Sequence, residues 1–171
     1  MASQQPIVIA AGPRQRRFVT SAVAMQAIII NEAEEILLLS SPNRKQGWQL
    51  VSGALEANET LLDGTLREVH EELGTDIQVR PLGIVHVETF HYDECVQFVL
   101  GTYYLFAYQG GEVKPGDDML GSEFRWWSLA DLNDGSLKFH ASVKLWMLKR
   151  AVELYRLWQG QPEVPLQREL D

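Results

Sequence analysis

Hydrophobic positions between residues 18 and 51 fall into runs broken by short polar stretches. Phe18 to Ile30 and Glu35 to Ser40 are rich in Val, Ile and Leu and flank Asn31-Glu32-Ala33-Glu34. Apolar runs on either side of a short polar break predict two strands joined as a hairpin. Ser41 to Gly47 reads as a polar loop, and Trp48-Gln49-Leu50-Val51 as a further short strand. The period then changes. Leu62, Leu66, Val69 and Leu73 recur at helical steps and give one apolar stripe, with the intervening glutamates expected to face away from it. Asn58 can cap the start of this helix, and Gly74 can end it in the left-handed conformation. Gly64 in its interior costs about 1 kcal/mol against alanine, so close packing against a neighbouring strand is the expected reason for it.

Strands are expected again over Ile77 to Phe90 and Glu94 to Ala107, followed by a long turn marked by Gly110-Gly111 and Pro115-Gly116. Phe124 to Leu129 reads as a late strand and Ala130 to Leu132 as a helical turn. His140 to Trp158 is amphipathic, with Val143, Trp146, Met147, Ala151, Leu154 and Leu157 able to share a face. Strands and helices mixed in this order support an α/β or α+β fold. The chain has 171 residues, 46% of them hydrophobic, enough for one domain with a full core. The expected division is a lead-in over 1–16 carrying the basic Arg14 and Arg16, with Arg17 next to it, one domain over 17–160, and a tail over 161–171.

A net charge of -8 argues against a surface that coats nucleic acid. The single Cys95 excludes an internal disulfide and favours a cytoplasmic chain in which it is a core thiol. No apolar run approaches the ~20 residues of a membrane span, and the N-terminus lacks a signal-peptide core, so no membrane partner is expected.

The candidate chemistry lies on the first helix. Glu68, Glu71 and Glu72 sit at helical spacings that place them side by side, where like charges repel unless a cation lies among them. Arg67, four residues before Glu71, can pair with it, but one guanidinium does not neutralise three carboxylates. The remainder calls for a hard cation. Oxygen ligands select Mg²⁺ or Mn²⁺, and magnesium usually completes its shell with water and phosphate oxygens.

Gly53, Glu59, Arg67, Glu68, Val69, Glu71, Glu72 and Gly74 together resemble the signature of the Nudix hydrolases, G-x5-E-x7-R-E-U-x-E-E-x-G-U, where U is aliphatic. The departures are Thr75 at the last aliphatic position, with Ile77 just beyond, and Ser52 where many members carry a further glycine. The resemblance implies an α/β/α sandwich with a mixed central sheet and a Mg²⁺-dependent hydrolase of a small nucleoside diphosphate linked to another group. By the same resemblance the Gly53 carbonyl joins Glu68, Glu71 and Glu72 as a metal ligand, Arg67 orients the glutamates, and Glu59 supports the helix start. Many members dimerise, so a homodimer is compatible with it. The alternative is a module that keeps the fold to sense a nucleotide; such members usually lose signature glutamates, and here all are present.

Further candidates surround this core. Glu112, Asp117, Asp118 and Glu123 lie around the turn before Phe124, where such enzymes often supply an extra ligand or base, with Glu123 the first choice and Asp118 the second. Tyr92 resembles the base-stacking tyrosine of dinucleoside polyphosphate hydrolases, which places those substrates slightly ahead of nucleotide sugars, ADP-ribose and nucleoside triphosphates. Trp48 is a second stacking candidate. His86 and His91 are candidate phosphate or base contacts, whereas His70 and His140 read as structural or surface residues.

Overall fold

The computed structural model describes residues 8–11, 16–19, 21–40, 47–92, 96, 98–116, 119–133, 135 and 137–160. Cys95, Asp117, Asp118, Arg14, the loop 41–46 and the tail 161–171 lie outside the described residues, as do the side chains of Arg16 and Arg17. Part of the expected lead-in is ordered into strands: β1 (Val8–Ala11) pairs antiparallel with β2 (Arg16–Val19). The first apolar run is therefore divided, because Phe18 belongs to β2 while β3 (Ala22–Ile30) begins afterwards.

β3 and β4 (Ile36–Ser40) form the expected hairpin. Asn31 closes its turn, accepting from the Glu35 amide at 2.9 Å and donating to the Glu35 carboxylate at 2.9 Å. The two strands then diverge, and the next segment fills the fork. Gln49 exchanges both backbone hydrogen bonds with Leu39 of β4, while β5 (Val51–Ala54) pairs with Ala24 to Ala27 of β3. Residues 49–54 are thus held on two strands at once. β6 (Gln78–Phe90) and β7 (Val99–Gly110) are antiparallel, and Val99 to Ala107 of β7 run parallel to all of β3. With β8 (Glu123–Trp127) beside β4, the mixed sheet has the order β6-β7-β3-β4-β8, with β5 on β3. Pro81 is accommodated because β6 is an edge strand.

Alternating residues of β3 separate two apolar layers. Ala27 and Ile29 pack with Val69 and Leu73 of helix α1 (Leu61–Leu73), whereas Ile28 and Ile30 pack with α2 (Leu129–Leu132) and α3 (Leu145–Trp158). This is the expected α/β/α sandwich. The α3 face is rotated from the expected one. Met147, Leu148, Ala151, Val152 and Tyr155 are buried, while Trp146 and Leu157 are exposed. Apolar residues are so frequent in this helix that more than one stripe can be drawn through them, and the sheet selects between them. No helix among the described residues is long and apolar enough to cross a membrane.

Candidate active site

Helix α1 begins two residues later than Asn58 suggests. Thr60 is the cap, its hydroxyl accepting from the Asp63 amide at 3.1 Å, while Asn58 takes a positive φ of 69° in the turn before it. Gly74 ends the helix at a φ of 95°, but its ψ of 154° is extended and not that of the left-handed helix. The loop beyond β7 is tied to this end of α1: the Lys114 amide donates to the Leu73 carbonyl at 2.7 Å and the Gly116 amide to that of Glu72 at 3.2 Å. Gly64 is required by packing, since a Cβ there would lie 2.5 Å from Glu59 Oε1 and 2.9 Å from Met25 Cε on β3.

Arg67 joins the parts of the site. Its Nη1 donates to Glu68 Oε1 at 2.8 Å and to Glu71 Oε2 at 2.9 Å. Its Nη2 donates to Glu59 Oε1 and to the Ala54 carbonyl, each at 3.0 Å, and its Nε to Glu59 Oε2 at 3.2 Å. One guanidinium therefore ties the helix to the strand β5 and to the loop between them. A fork of planar donors does this where a single ammonium could not. The Arg67 side chain holds the Glu59 carboxyl below its ordinary value, assisted by the Glu56 amide at 2.7 Å from Oε1. In return Glu59, against the opposing effect of burial, holds Arg67 firmly in its charged form, with Glu68 adding to it.

The Gly53 position is explained by close approach. A Cβ built on it would fall 1.8 Å from both the carboxyl carbon and Oε1 of Glu68. The Glu68 carboxylate thus lies directly against the backbone of β5. This close approach is what requires glycine there. Glu72 is buried, only 2% exposed. Glu71 is the most open of the three, with its side chain 42% exposed.

The donor set consists of carboxylate oxygens gathered beside a backbone strand, which suits a hard divalent cation and not a soft one. Arg67 takes Oε1 of Glu68 and Oε2 of Glu71, one oxygen from each carboxylate. Among the described residues no three His, Cys, Asp or Glu side chains already form a metal cage. The chemistry of the donors therefore fits a cation, while Arg67 supplies the positive charge in the arrangement described.

The other candidates are dispersed. Glu123 opens β8, exposed and opposite Ser40, and takes no part in the Arg67 network. Glu112 pairs with Lys114 at 2.8 Å. Tyr92 is 69% exposed just after β6, its amide donating to the Val96 carbonyl. Trp48 packs edge-on against Trp127 at 5.1 Å and joins the apolar layer under α3. The Ala54 carbonyl as an Arg67 partner carries no signal in the sequence, because every residue has a carbonyl.

A profile for the NUDIX domain matches residues 20–148, a span that contains this entire cluster. The chain belongs to the Nudix family. Nudix hydrolases generally depend on a divalent metal, in keeping with the donors on α1. Among curated proteins the Nudix chain is similar to an NAD-capped RNA hydrolase NudC of Vibrio parahaemolyticus, 28% identical over 61% of this chain and 38% of that protein. It is also similar to an RNA pyrophosphohydrolase of Bartonella henselae, 35% identical over 50% of this chain and 57% of the other. The Nudix chain spans well under half the length of the first of these and little more than half of the second. Among solved structures, an ADP-ribose pyrophosphatase from Streptococcus suis superposes with a TM-score of 0.61 over 80% of this chain and 93% of the other at 22% identity, which shows the shared fold.

Proposed function

We propose that the protein is a Mg²⁺-dependent pyrophosphohydrolase that cleaves the phosphoanhydride of a nucleoside diphosphate linked to another group. The observation that carries this reading is the convergence of Glu68 and Glu71 on one Arg67 nitrogen, at 2.8 and 2.9 Å, with the Glu68 carboxyl against Gly53. Glu68, Glu71 and Glu72, with the Gly53 carbonyl, would hold the cation, for which Mn²⁺ is the natural substitute. When bound, the cation neutralises charge that builds on phosphate oxygens and lowers the pKa of water near it. Arg67 and Glu59 keep the carboxylates in place and thereby position the reacting phosphate. Glu123 is the proposed extra acid or base. A cytoplasmic location suits a chain with a single cysteine.

Among substrates, dinucleoside polyphosphates are favoured, with Tyr92 and Trp48 as the proposed contacts to a base. Tyr92 is exposed enough to reach a ligand. A second reading is the 5′-terminal nucleotide of an RNA. It is favoured by the names of the curated relatives, and the charge of -8 weighs against a long RNA footprint.

The test is chromatography of products after incubation with Mg²⁺ and a panel of a diadenosine polyphosphate, ADP-ribose, nucleotide sugars, nucleoside triphosphates and a short 5′-capped RNA. Selective release of nucleoside phosphates from one class supports the reading. No cleavage with Mg²⁺ or Mn²⁺ would overturn it.

A further inference from the structure

The sheet face opposite the Glu68 cluster carries one polar row within an otherwise apolar layer. The strand registers place Ser52, Gln26, Tyr103 and His86 side by side across β5, β3, β7 and β6. The next row outward is built from small residues, Ala54, Ala24 and Gly101, and ends at Glu88. The two alanines leave the sheet surface there without bulk, beside a Gly101 that the Phe90 ring covers.

Gln26 is the residue in this row that packing does not explain. It is 5% exposed, and its Oε1 is buried with no hydrogen-bond partner among the described residues. Buried amide oxygens are nearly always bonded, and one that is not points to a missing donor. Tyr103 beside it and Glu88 in the next row are satisfied. Glu88 accepts from the Tyr103 hydroxyl at 2.9 Å and from Lys144 Nζ at 3.0 Å, and His86 Nε2 lies 3.7 Å from it. Aromatic surfaces border the same place. Trp146, 48% exposed, meets the His86 ring edge-on at 5.1 Å, and the Phe90 ring lies over Gly101, where a Cβ would come within 3.0 Å of it.

The row also adjoins the carboxylate site. Ser52 immediately precedes Gly53, and consecutive strand residues point to opposite faces. A ligand that crosses β5 therefore meets Glu68 on one face and the Ser52–Gln26 row on the other.

We infer that Gln26 reads the nucleobase of the substrate, its amide oxygen accepting an N–H from a flat heterocycle laid over Ala24 and Ala54. This rests on the hydrolase reading for the remainder of the substrate, and it names the part of that substrate which the carboxylates do not touch. The floor of Ala24 and Ala54 suits a planar ring, and the edge of such a ring presents an N–H in its own plane to the buried acceptor. Glu88, held by Lys144 and Tyr103, positions the Tyr103 side of the row and is not the reader.

The test uses the intact protein and binding, so it does not depend on turnover. Titration calorimetry would compare AMP, GMP, CMP and UMP with ribose 5-phosphate, which lacks a base, for the wild type, Gln26→Leu and Glu71→Gln. At least one mononucleotide is expected to bind tenfold or more tighter than ribose 5-phosphate. Gln26→Leu should abolish that preference while keeping the wild-type melting temperature, and Glu71→Gln should retain it. As a second readout, the Gln26 side-chain amide resonances should shift with the preferred nucleotide and not with ribose 5-phosphate. Equal affinity for all ligands, or an undiminished preference in Gln26→Leu, overturns the inference. Base preference that depends on Gln26 in a protein that cleaves nothing would uphold this inference and sink the hydrolase reading. Cleavage with an unchanged KM in Gln26→Leu would do the reverse.

Discussion

The Glu68 carboxyl rests so close to Gly53 that the smallest side chain at position 53 would occupy the same space, 1.8 Å from Oε1. Strand β5 and helix α1 meet at this contact, and Arg67 locks it from the side through Glu68 and the Ala54 carbonyl. The geometry of the proposed metal ligands therefore depends on the absence of an atom at residue 53.

Gly53→Ala should separate activity from stability. The obstructing group is the end of a flexible side chain, which can swing away at a cost of about 1 kcal/mol. The carboxylate would then leave its place. Activity on the substrate identified by the panel should fall at least tenfold while the urea midpoint changes little; wild-type turnover would remove the positional role assigned to Glu68.

Arg67→Lys removes the fork but keeps the charge. One ammonium cannot serve Glu59, Glu68, Glu71 and the Ala54 carbonyl together. The expected loss is about 1–3 kcal/mol in chemical denaturation, with a larger proportional loss of kcat than of substrate affinity. An Arg67→Lys protein as stable and active as the wild type would show that the bidentate geometry is unimportant.

Glu72→Gln tests the buried carboxylate. The isosteric amide should keep the fold and lower turnover by two orders of magnitude or more. If α1 binds the cation in the native state, millimolar Mg²⁺ should raise the wild-type melting temperature, as a ligand of the folded state must, and raise that of Glu72→Gln less. Identical responses in the two proteins would argue against Glu72 as a ligand.

Gly64→Ala should invert the usual helix rule. In an open helix the change stabilises by about 1 kcal/mol. Here the new methyl meets Glu59, which Arg67 holds, and Met25, which is 1% exposed. Overpacking costs about 1–3 kcal/mol, so net destabilisation is expected in urea, and a gain in stability would refute the packing explanation.

The Glu59–Arg67 pair also sets a pH dependence. Arg67 lowers the Glu59 value in the folded state from the ordinary 4.5. The pair's contribution is therefore fully present above that value and is lost as pH falls through the lower folded one. Denaturation followed below pH 5 should show a steeper loss for the wild type than for Glu59→Gln, and parallel curves would exclude the linkage.

Much of the site can be read from local spacing. Arg67 and Glu71 stand four apart on one helix, and their pairing follows from that alone. Glu59 and Gly53 could be related to Arg67 and Glu68 only through the family resemblance, because the contacts span a loop. The need for glycine at 53 was legible, but its reason was not, since it depends on how closely α1 packs on β5. Cap choice failed for a similar reason: Asn58 and Thr60 can both cap, and the turn geometry decides. In α3 the abundance of apolar residues hid the buried face. Gln26 did leave a signal, a lone amide inside Ala22–Ile30, but its meaning required the parallel neighbour β7.

That parallel neighbour has a further consequence in time. The ties between the β3 and β7 regions join residues 77 or 78 positions apart, as in Ser21 with Phe98 and Thr102 with Ala24. Contacts of such separation must close a long loop before they return any stabilisation, and they slow folding. During synthesis, α1 is complete long before β7 exists to finish the sheet beneath it. A nascent chain can therefore carry every carboxylate of the site and still have no rigid surface on which to hold them, so competence should appear late and abruptly as the chain lengthens past Gly110.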